Sequence, residues 1–411
     1  MKELNILWGL IGCSIIFFIA YLVSSNRKAI NFRTVGLGFL LQLVFGYIVL
    51  KSKLGQEALQ AVSAGVNKVI HYGDVGVAFV FGSLADKTGP AGSIFAVRVL
   101  AIIIFLSALI SLLYHLGIMQ IFVRIIGGFI SRLLKVSKTE SMSATANIFV
   151  GMSEAPLVIK PYLPHMTKSQ IFAVMVGGLA SVSGAVMIGL ATMGVSIEYL
   201  IAASFMSAPA GLVMAKILMP ETEENTEIDL KKLANDGENP KKRNILEVIT
   251  DGAFDGAKIA FGVAVMLMAI LGLVAFTNGV LGGIGGLFGF EGLSLEMIFG
   301  YLFAPLAFII GIPWSEAVMA GNLIGQKLVF NEFVAFASFA GETAEFSQKA
   351  QAVITFTLCG FANLGSIGIL VGALSTMAPN KKDVIQKLAF RALIAASLAN
   401  LMSGAIAGIY F

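Results

Sequence analysis

Two glutamates stand in surroundings that offer an acid little water. Glu154 lies in "ANIFVGMSEAPLVIKPYLP" (146–164) and Glu332 in "PWSEAVMAGNLIGQKLVFNEFVAFASF" (313–339), apolar stretches broken near their middles by polar residues. An acid at mid-membrane depth costs roughly 2.5–3.5 kcal/mol on insertion scales, so an acid kept there marks a pathway or a binding site. The competing reading is a segment that stops short and leaves its acid solvated at a helix end. Two acids at corresponding breaks favour the first reading. Gly151 and Pro156 let the chain break around Glu154, and irregular backbone at that depth is tolerated only inside protein or along a wet cavity. Asn147 and Ser181 precede and follow the first break, and Asn363 and Ser366 occupy a second interruption, "FANLGS". Such side chains bind polar solutes or ions, or serve as hydrogen-bonding glue between helices, the role left to Ser143, Ser204 and Ser397. The chain offers no nucleophile–base pairing and no phosphate loop. Cys13 and Cys359 sit in apolar stretches that favour neither a disulfide nor a metal cluster, and His71, His115 and His165 are too scattered for a ligand set. The chemistry on offer is binding, and an enzyme has no residues to run on.

The elements that must position these groups follow from composition. Of 411 residues, 57% are hydrophobic and 13% charged, against about 25% charged in a soluble protein. Repeated apolar runs near twenty residues make this an all-α polytopic membrane protein. Eight spans are expected, at 5–23, 35–50, 95–116, 170–194, 197–219, 258–278, 350–376 and 388–410. The run "ILWGLIGCSIIFFIAYLV" is followed rather than preceded by basic residues, so it reads as a retained first helix, not a cleaved signal. Four clusters carry the Lys and Arg of the connections: Arg27/Lys28/Arg33, Arg132/Lys135/Lys138, Lys231/Lys232/Lys241/Lys242/Arg243 and Lys381/Lys382/Lys387/Arg391. All four fall on the cytoplasmic side if both termini are extracytoplasmic. Residues 118–138 set Arg124, Arg132 and Lys135 against an apolar face, as an interfacial helix does.

The two broken segments read as re-entrant hairpins. "GGLASVSGAVMIG" (177–189) echoes "CGFANLGSIGILVG" (359–372), and "LIAAS" recurs at 200–204 and 393–397, each echo trailing a hairpin. The expected organisation is therefore an inverted repeat. Residues 1–116 supply mainly scaffold helices (spans one to three and an interfacial helix), and 117–219 the first repeat with hairpin one and spans four and five. Residues 220–244 form a cytoplasmic linker, 245–292 span six, and 293–411 the second repeat with hairpin two and spans seven and eight. Paired interrupted segments in two halves point to a secondary transporter with its site between the hairpin tips. Pattern alone stops at a cation- or proton-coupled carrier of a small polar solute. A receptor or passive channel stands as the alternative of another class, with an intramembrane enzyme behind it.

At these residues the chain resembles the concentrative nucleoside transporter family nearly end to end. The likeness runs through "SSNRKAINFRTVG", "FVFGSL", "ESMSATANIFVGMSEAPLVIKPYLPHMT", "GIPWSEA", "NEFVA" and "CGFANLGSIGIL". It implies a homotrimer in a plasma or inner membrane, each protomer divided into a scaffold and a mobile transport domain that holds the hairpins. It implies that Met152, Ser153 and Glu154 face the nucleobase with Val186 beside them. Glu332, Asn363 and Ser366 should bond the ribose hydroxyls, with Phe361 near the sugar. An ionised carboxylate only accepts, which suits hydroxyl donors, and such charge-assisted bonds are strong. The sodium-driven pattern maps onto the side chains of Asn147 and Ser181 and the backbone carbonyls of Val150 and Val182, oxygen ligands of the kind a hard cation takes. Proton-coupled members tend to lack that asparagine, so its presence favours Na+ as coupling ion; no organic cofactor is expected. Many members carry Gln where this chain has Met152. A thioether adapts to a larger flat ring, and purine-preferring members share the Gly-Met pair, so purine nucleosides are the expected substrate. The alternative is a proton-coupled symporter with broad or pyrimidine preference.

Overall fold

The computed structural model describes residues 2–86, 94–223, 244–290 and 292–411. Most of the expected 220–244 linker, including its five basic residues, lies outside the described residues. All regular structure among those described is helical. Helices α1 (Lys2–Val23), α2 (Phe32–Leu50), α3 (Lys53–Phe81), α4 (Ala101–His115, entered through a π turn from Ala96) and α5 (Ile118–Leu134) come first. Asn31 explains why α2 starts ahead of its expected boundary: its side chain accepts from Arg33 N and Thr34 N, satisfying two donors that a helix start leaves open. On α5, Arg124 and Arg132 are exposed, as is Lys135 just past its end, while Val123, Gly127, Ile130 and Leu134 are buried.

The first hairpin begins earlier than the hydropathy pattern suggests. Its leading arm is α6 (Lys138–Ala146), and its return consists of 3-10 turns at Ala155–Ile159 and Leu163–His165. The α6 side chains Thr139, Glu140, Ser141, Ser143 and Thr145 are all buried in protein, so a window tuned to lipid-facing residues passes over them. The fourth span follows as two half-helices, α7 (Lys168–Ala180) and α8 (Gly184–Thr192), and α9 (Ile197–Leu218) returns.

The second half opens with α10 (Ile245–Leu287), a 43-residue helix that extends well past the expected 258–278 on both sides. At its far end Asn278 accepts from Leu295 N and donates to Glu296 Oε2, both at 2.8 Å, pinning the turn into α11 (Leu295–Ile309). Hydropathy counting left α11 unassigned. It is apolar but only 15 residues long, and it bends by 116° into α12 (Trp314–Val329). α12 and α13 (Glu332–Glu342) form the second hairpin. The seventh span is again broken, into α14 (Gln348–Leu358) and α15 (Leu364–Met377), and α16 (Lys382–Ile409) closes the chain.

Seven helical segments are long and apolar enough to cross a membrane among the described residues, and the bent α11–α12 pair would make an eighth by length and composition; the remaining expected span, 350–376, is the broken α14–α15 pair. Burial sorts them. The most apolar stretch of α7–α8 is fully buried and that of α9 nearly so, whereas almost none of that of α10 is buried despite its being the most hydropathic. A helix apolar all round sits in the core or faces lipid, and here both kinds occur. The order helix, helix, hairpin, broken span, long helix runs from α4 to α9 and again from α10 to α16. Corresponding members meet: α4 packs on α10, and α9 on α16. Three of the four basic clusters gather at one end, where Lys381 Nζ donates to Met166 O, Ser25 N to Leu218 O and Thr34 Oγ1 to Leu134 O, each at 2.9 Å.

Candidate functional site

The first hairpin turns at Asn147–Glu154. Glu154 N and Ala155 N both donate to Gly151 O, at 3.1 and 2.9 Å, so the chain folds back within one turn. The carboxylate of Glu154 then lies over Gly151, where a Cβ would collide with Oε2. Ser153 Oγ donates to Glu154 Oε1 at 3.0 Å, and Met152 is buried with its Cβ against Gly178 of α7. Gly184 N donates to Phe149 O at 3.0 Å, which ties this tip to the break in the fourth span. At that break Ser183 caps α8 by accepting from Val186 N.

The second tip is Phe330–Asn331. Asn331 caps α13 through Val334 N and reaches across to α10, its Nδ2 2.9 Å from Met266 Sδ. Glu332, 4% exposed, accepts from Asn363 Nδ2 at 3.0 Å, and Asn363 Oδ1 in turn accepts from Ser366 N to cap α15. One asparagine therefore joins the acid to a half-helix N-terminus, the end whose dipole favours negative charge. Phe361 N donates to Ser181 O at 3.1 Å, so the two broken spans meet at their interruptions.

Between the tips lies a cavity of about 340 Å³, the low end of the ~300–1,000 Å³ typical of small-molecule sites. Met152, Ser153, Glu154, Val186, Glu332, Phe361, Asn363 and Ser366 all line it. Residues the sequence did not single out complete the wall: Ser183 and Asn331 from helix caps, and Ile259, Gly262, Val263 and Met266 from one face of α10, with Lys258 at its edge. The capping pattern of Ser183 and Asn331 was readable. The α10 face was not, because its residues are those of any lipid-facing helix.

The four expected cation ligands also gather, beside the cavity rather than in it. Asn147 is fully buried; its Nδ2 donates to Ser143 O at 2.9 Å, while its Oδ1 has no hydrogen-bond partner. That amide packs on Gly177, whose carbonyl accepts from Ser181 Oγ at 3.0 Å. Val182 is buried in the same break and Val150 half-buried in the tip that Gly184 holds against it. A buried amide oxygen without a donor, next to a hydroxyl, irregular backbone and the C-terminal end of α7, is a donor set that fits a hard monovalent cation.

A family model described as the Na+ dependent nucleoside transporter C-terminus matches residues 199–408, its N-terminal counterpart residues 11–84, and a nucleoside-recognition gate model residues 96–197. An uncharacterized transporter of Bacillus subtilis (strain 168), YutK, is 48% identical over 407 residues, covering 99% of this chain and 100% of that one. The chain belongs to the concentrative nucleoside transporter family. Another relative is the nucleoside permease NupC of Helicobacter pylori, 47% identical across 98% of this chain and 97% of its own. Among solved structures, CNTnw in an inward-facing substrate-bound state superposes with a TM-score of 0.93 at 47% identity, covering 100% of this chain and 98% of that one. A doubly substituted CNTnw in an outward-facing state gives 0.96 at 47% identity, covering 100% and 99%. As a member of this family the protein is a multi-pass membrane transporter of nucleosides and not an enzyme.

Proposed function

We propose that this concentrative nucleoside transporter is a sodium-coupled symporter that accumulates nucleosides, purine nucleosides foremost, by alternating access across the plasma membrane. The observation that carries the reading is the cavity with two unlike polar walls. Glu332, Asn363 and Ser366 form an acceptor-rich wall for ribose hydroxyls, with Phe361 beside them. Met152, Ser153, Glu154 and Val186 form a more apolar wall for a flat base. Asn147 and Ser181 side chains and the Val150 and Val182 carbonyls would take the co-transported Na+. One positive charge moving inward gains about 2.3 kcal/mol per 100 mV, enough to drive a neutral solute uphill. The hairpins, α7–α9 and α14–α16 would move together against a scaffold of α1–α4 and α10, in a homotrimer whose outward helices, α10 among them, face lipid or a neighbouring copy. The gathering of basic clusters at one end supports placing that end in the cytoplasm and both termini outside. Relatives of known structure in inward- and outward-facing states support the alternating cycle.

The test uses purified protein in liposomes at equal pH on both sides and with the potential clamped. Labelled inosine and uridine uptake is followed with an inward sodium gradient and with choline in its place. Sodium-dependent accumulation with inosine ahead is expected. Uptake indifferent to sodium but driven by an imposed pH gradient overturns the coupling ion, and equal rates for the two nucleosides overturn the purine preference.

A further inference from the structure

Lys327 is a charge without a place in the transport chemistry described so far. It sits on α12, 2% exposed, near the tip of the second hairpin. Its Nζ donates to Asn400 Oδ1 on α16 at 2.7 Å and to Thr357 O at 3.4 Å, in the last turn of α14. Asn400 continues the chain of contacts: its Nδ2 donates to Ala180 O, the last residue of α7, at 2.6 Å and to Cys359 O at 3.3 Å. The amide fills the space over Gly360, where a Cβ would stand 2.7 Å from Nδ2 and 2.8 Å from Ala180 O. Four elements thus converge on one ammonium and one amide: hairpin two, the break of each broken span, and the closing helix.

The electrostatics of that point are specific. Both α7 and α14 end there, and a helix C-terminus concentrates partial negative charge on carbonyls that have no partner within the helix. In the first repeat that end lies beside the oxygens of Asn147 and Ser181, the position assigned above to an exchangeable cation. In the second repeat the corresponding end is met by the Lys327 amino group of the chain itself, which donates to Thr357 O in the last turn of α14. A lysine ammonium is a compact point charge with three donors and no acceptor, suited to bridging carbonyl oxygens.

We propose that the Lys327 ammonium is a resident cation, the second repeat's fixed counterpart of the coupling ion, and a positioning residue for the sugar wall. Through Thr357 and Asn400 it holds the Cys359–Asn363 break in the form that presents Phe361 and Asn363 to the cavity. It touches no substrate. Its part is to keep two half-helix ends and a hairpin together without depending on an ion from solution. The link to the sugar wall rests on the nucleoside reading of the cavity; the link to the break does not.

The sequence supplies its own reporter. Cys13 and Cys359 are the two cysteines of the chain, both buried and free, and Cys359 lies within the break. In a Cys13→Ser background, full-length protein carrying Lys327→Gln or Lys327→Arg is compared with the parent. Maleimide labelling of Cys359, inosine binding and the melting temperature are read for each. Removal of the charge is expected to speed Cys359 labelling and weaken inosine binding by about tenfold each, while K327R, which keeps a cation, stays within about threefold. Asn400→Leu, which leaves the ammonium but removes its acceptor, also speeds labelling and serves as the second variant if K327Q does not fold. Unchanged labelling and binding in K327Q overturn the proposal, as does equal loss in K327Q and K327R, which would make the effect one of shape. A parent that binds no nucleoside refutes the functional reading instead, and Cys359 labelling still decides the role of Lys327.

Discussion

Among single residues, Glu332 makes the sharpest commitment. Its carboxylate already accepts from Asn363 and has capacity for hydroxyl donors from a sugar. Hydrogen bonds to a charged acceptor contribute about 1.5–3 kcal/mol, so Glu332→Gln should weaken inosine binding by roughly 10–150-fold. A double-mutant cycle against a deoxyribose analogue checks the assignment: the analogue should lose less from the substitution than the parent nucleoside. Met152→Gln should move the inosine-to-uridine uptake ratio toward uridine by a factor of about ten, the equivalent of one base-directed hydrogen bond. Glu154, Glu332 and Asn363 were legible in the sequence because such residues are costly in an apolar stretch. Lys327 and Asn400 are just as costly, yet went unmarked: both lie off the breaks themselves, and only packing shows that they meet there.

Elements respond to different substitutions. Helix α6 opens with a capping box in which Glu140 N donates to Ser137 Oγ at 3.2 Å and Ser137 N to Glu140 Oε2 at 2.9 Å, while Lys216 of α9 pairs with the same acid. Ser137→Ala should cost about 1 kcal/mol, read as a lowered melting temperature with inosine affinity unchanged, because the cap lies at the far end of the hairpin from the site. Between α10 and α4 the backbones approach closely, and a Cβ at Gly256 would stand 2.8 Å from Ile104 Cα. Gly256→Val should therefore push the two helices apart at a cost of about 1–3 kcal/mol, seen as loss of thermal stability in detergent. Hydropathy located the apolar spans well and missed two shorter helices, α6 and α11. α6 is polar and buried in protein, so its sequence looks like a loop, and α11 is apolar but too short to span.

For the whole molecule, the contact to test is the meeting of hairpin two with α10 on the cavity wall, where Asn331 reaches Met266. If the hairpins travel against a scaffold that includes α10, a disulfide between Asn331→Cys and Met266→Cys should stop uptake in liposomes, and a reductant should restore it. Uptake that continues with the bridge formed would show that these two surfaces need not part during the cycle. By itself the sequence determined the membrane class, the two-fold recurrence of elements and the family, and pointed to eight residues that line the cavity, because each leaves a local mark in hydropathy, spacing or motif. What only tertiary structure decided is which surfaces face one another. The α10 wall, the joining of the two broken spans at Ser181 and Phe361, and the Lys327–Asn400 junction link residues far apart in the chain. Whether an apolar or amide side chain there meets lipid, a cavity or a helix end depends on its neighbours in space, and no local pattern records them.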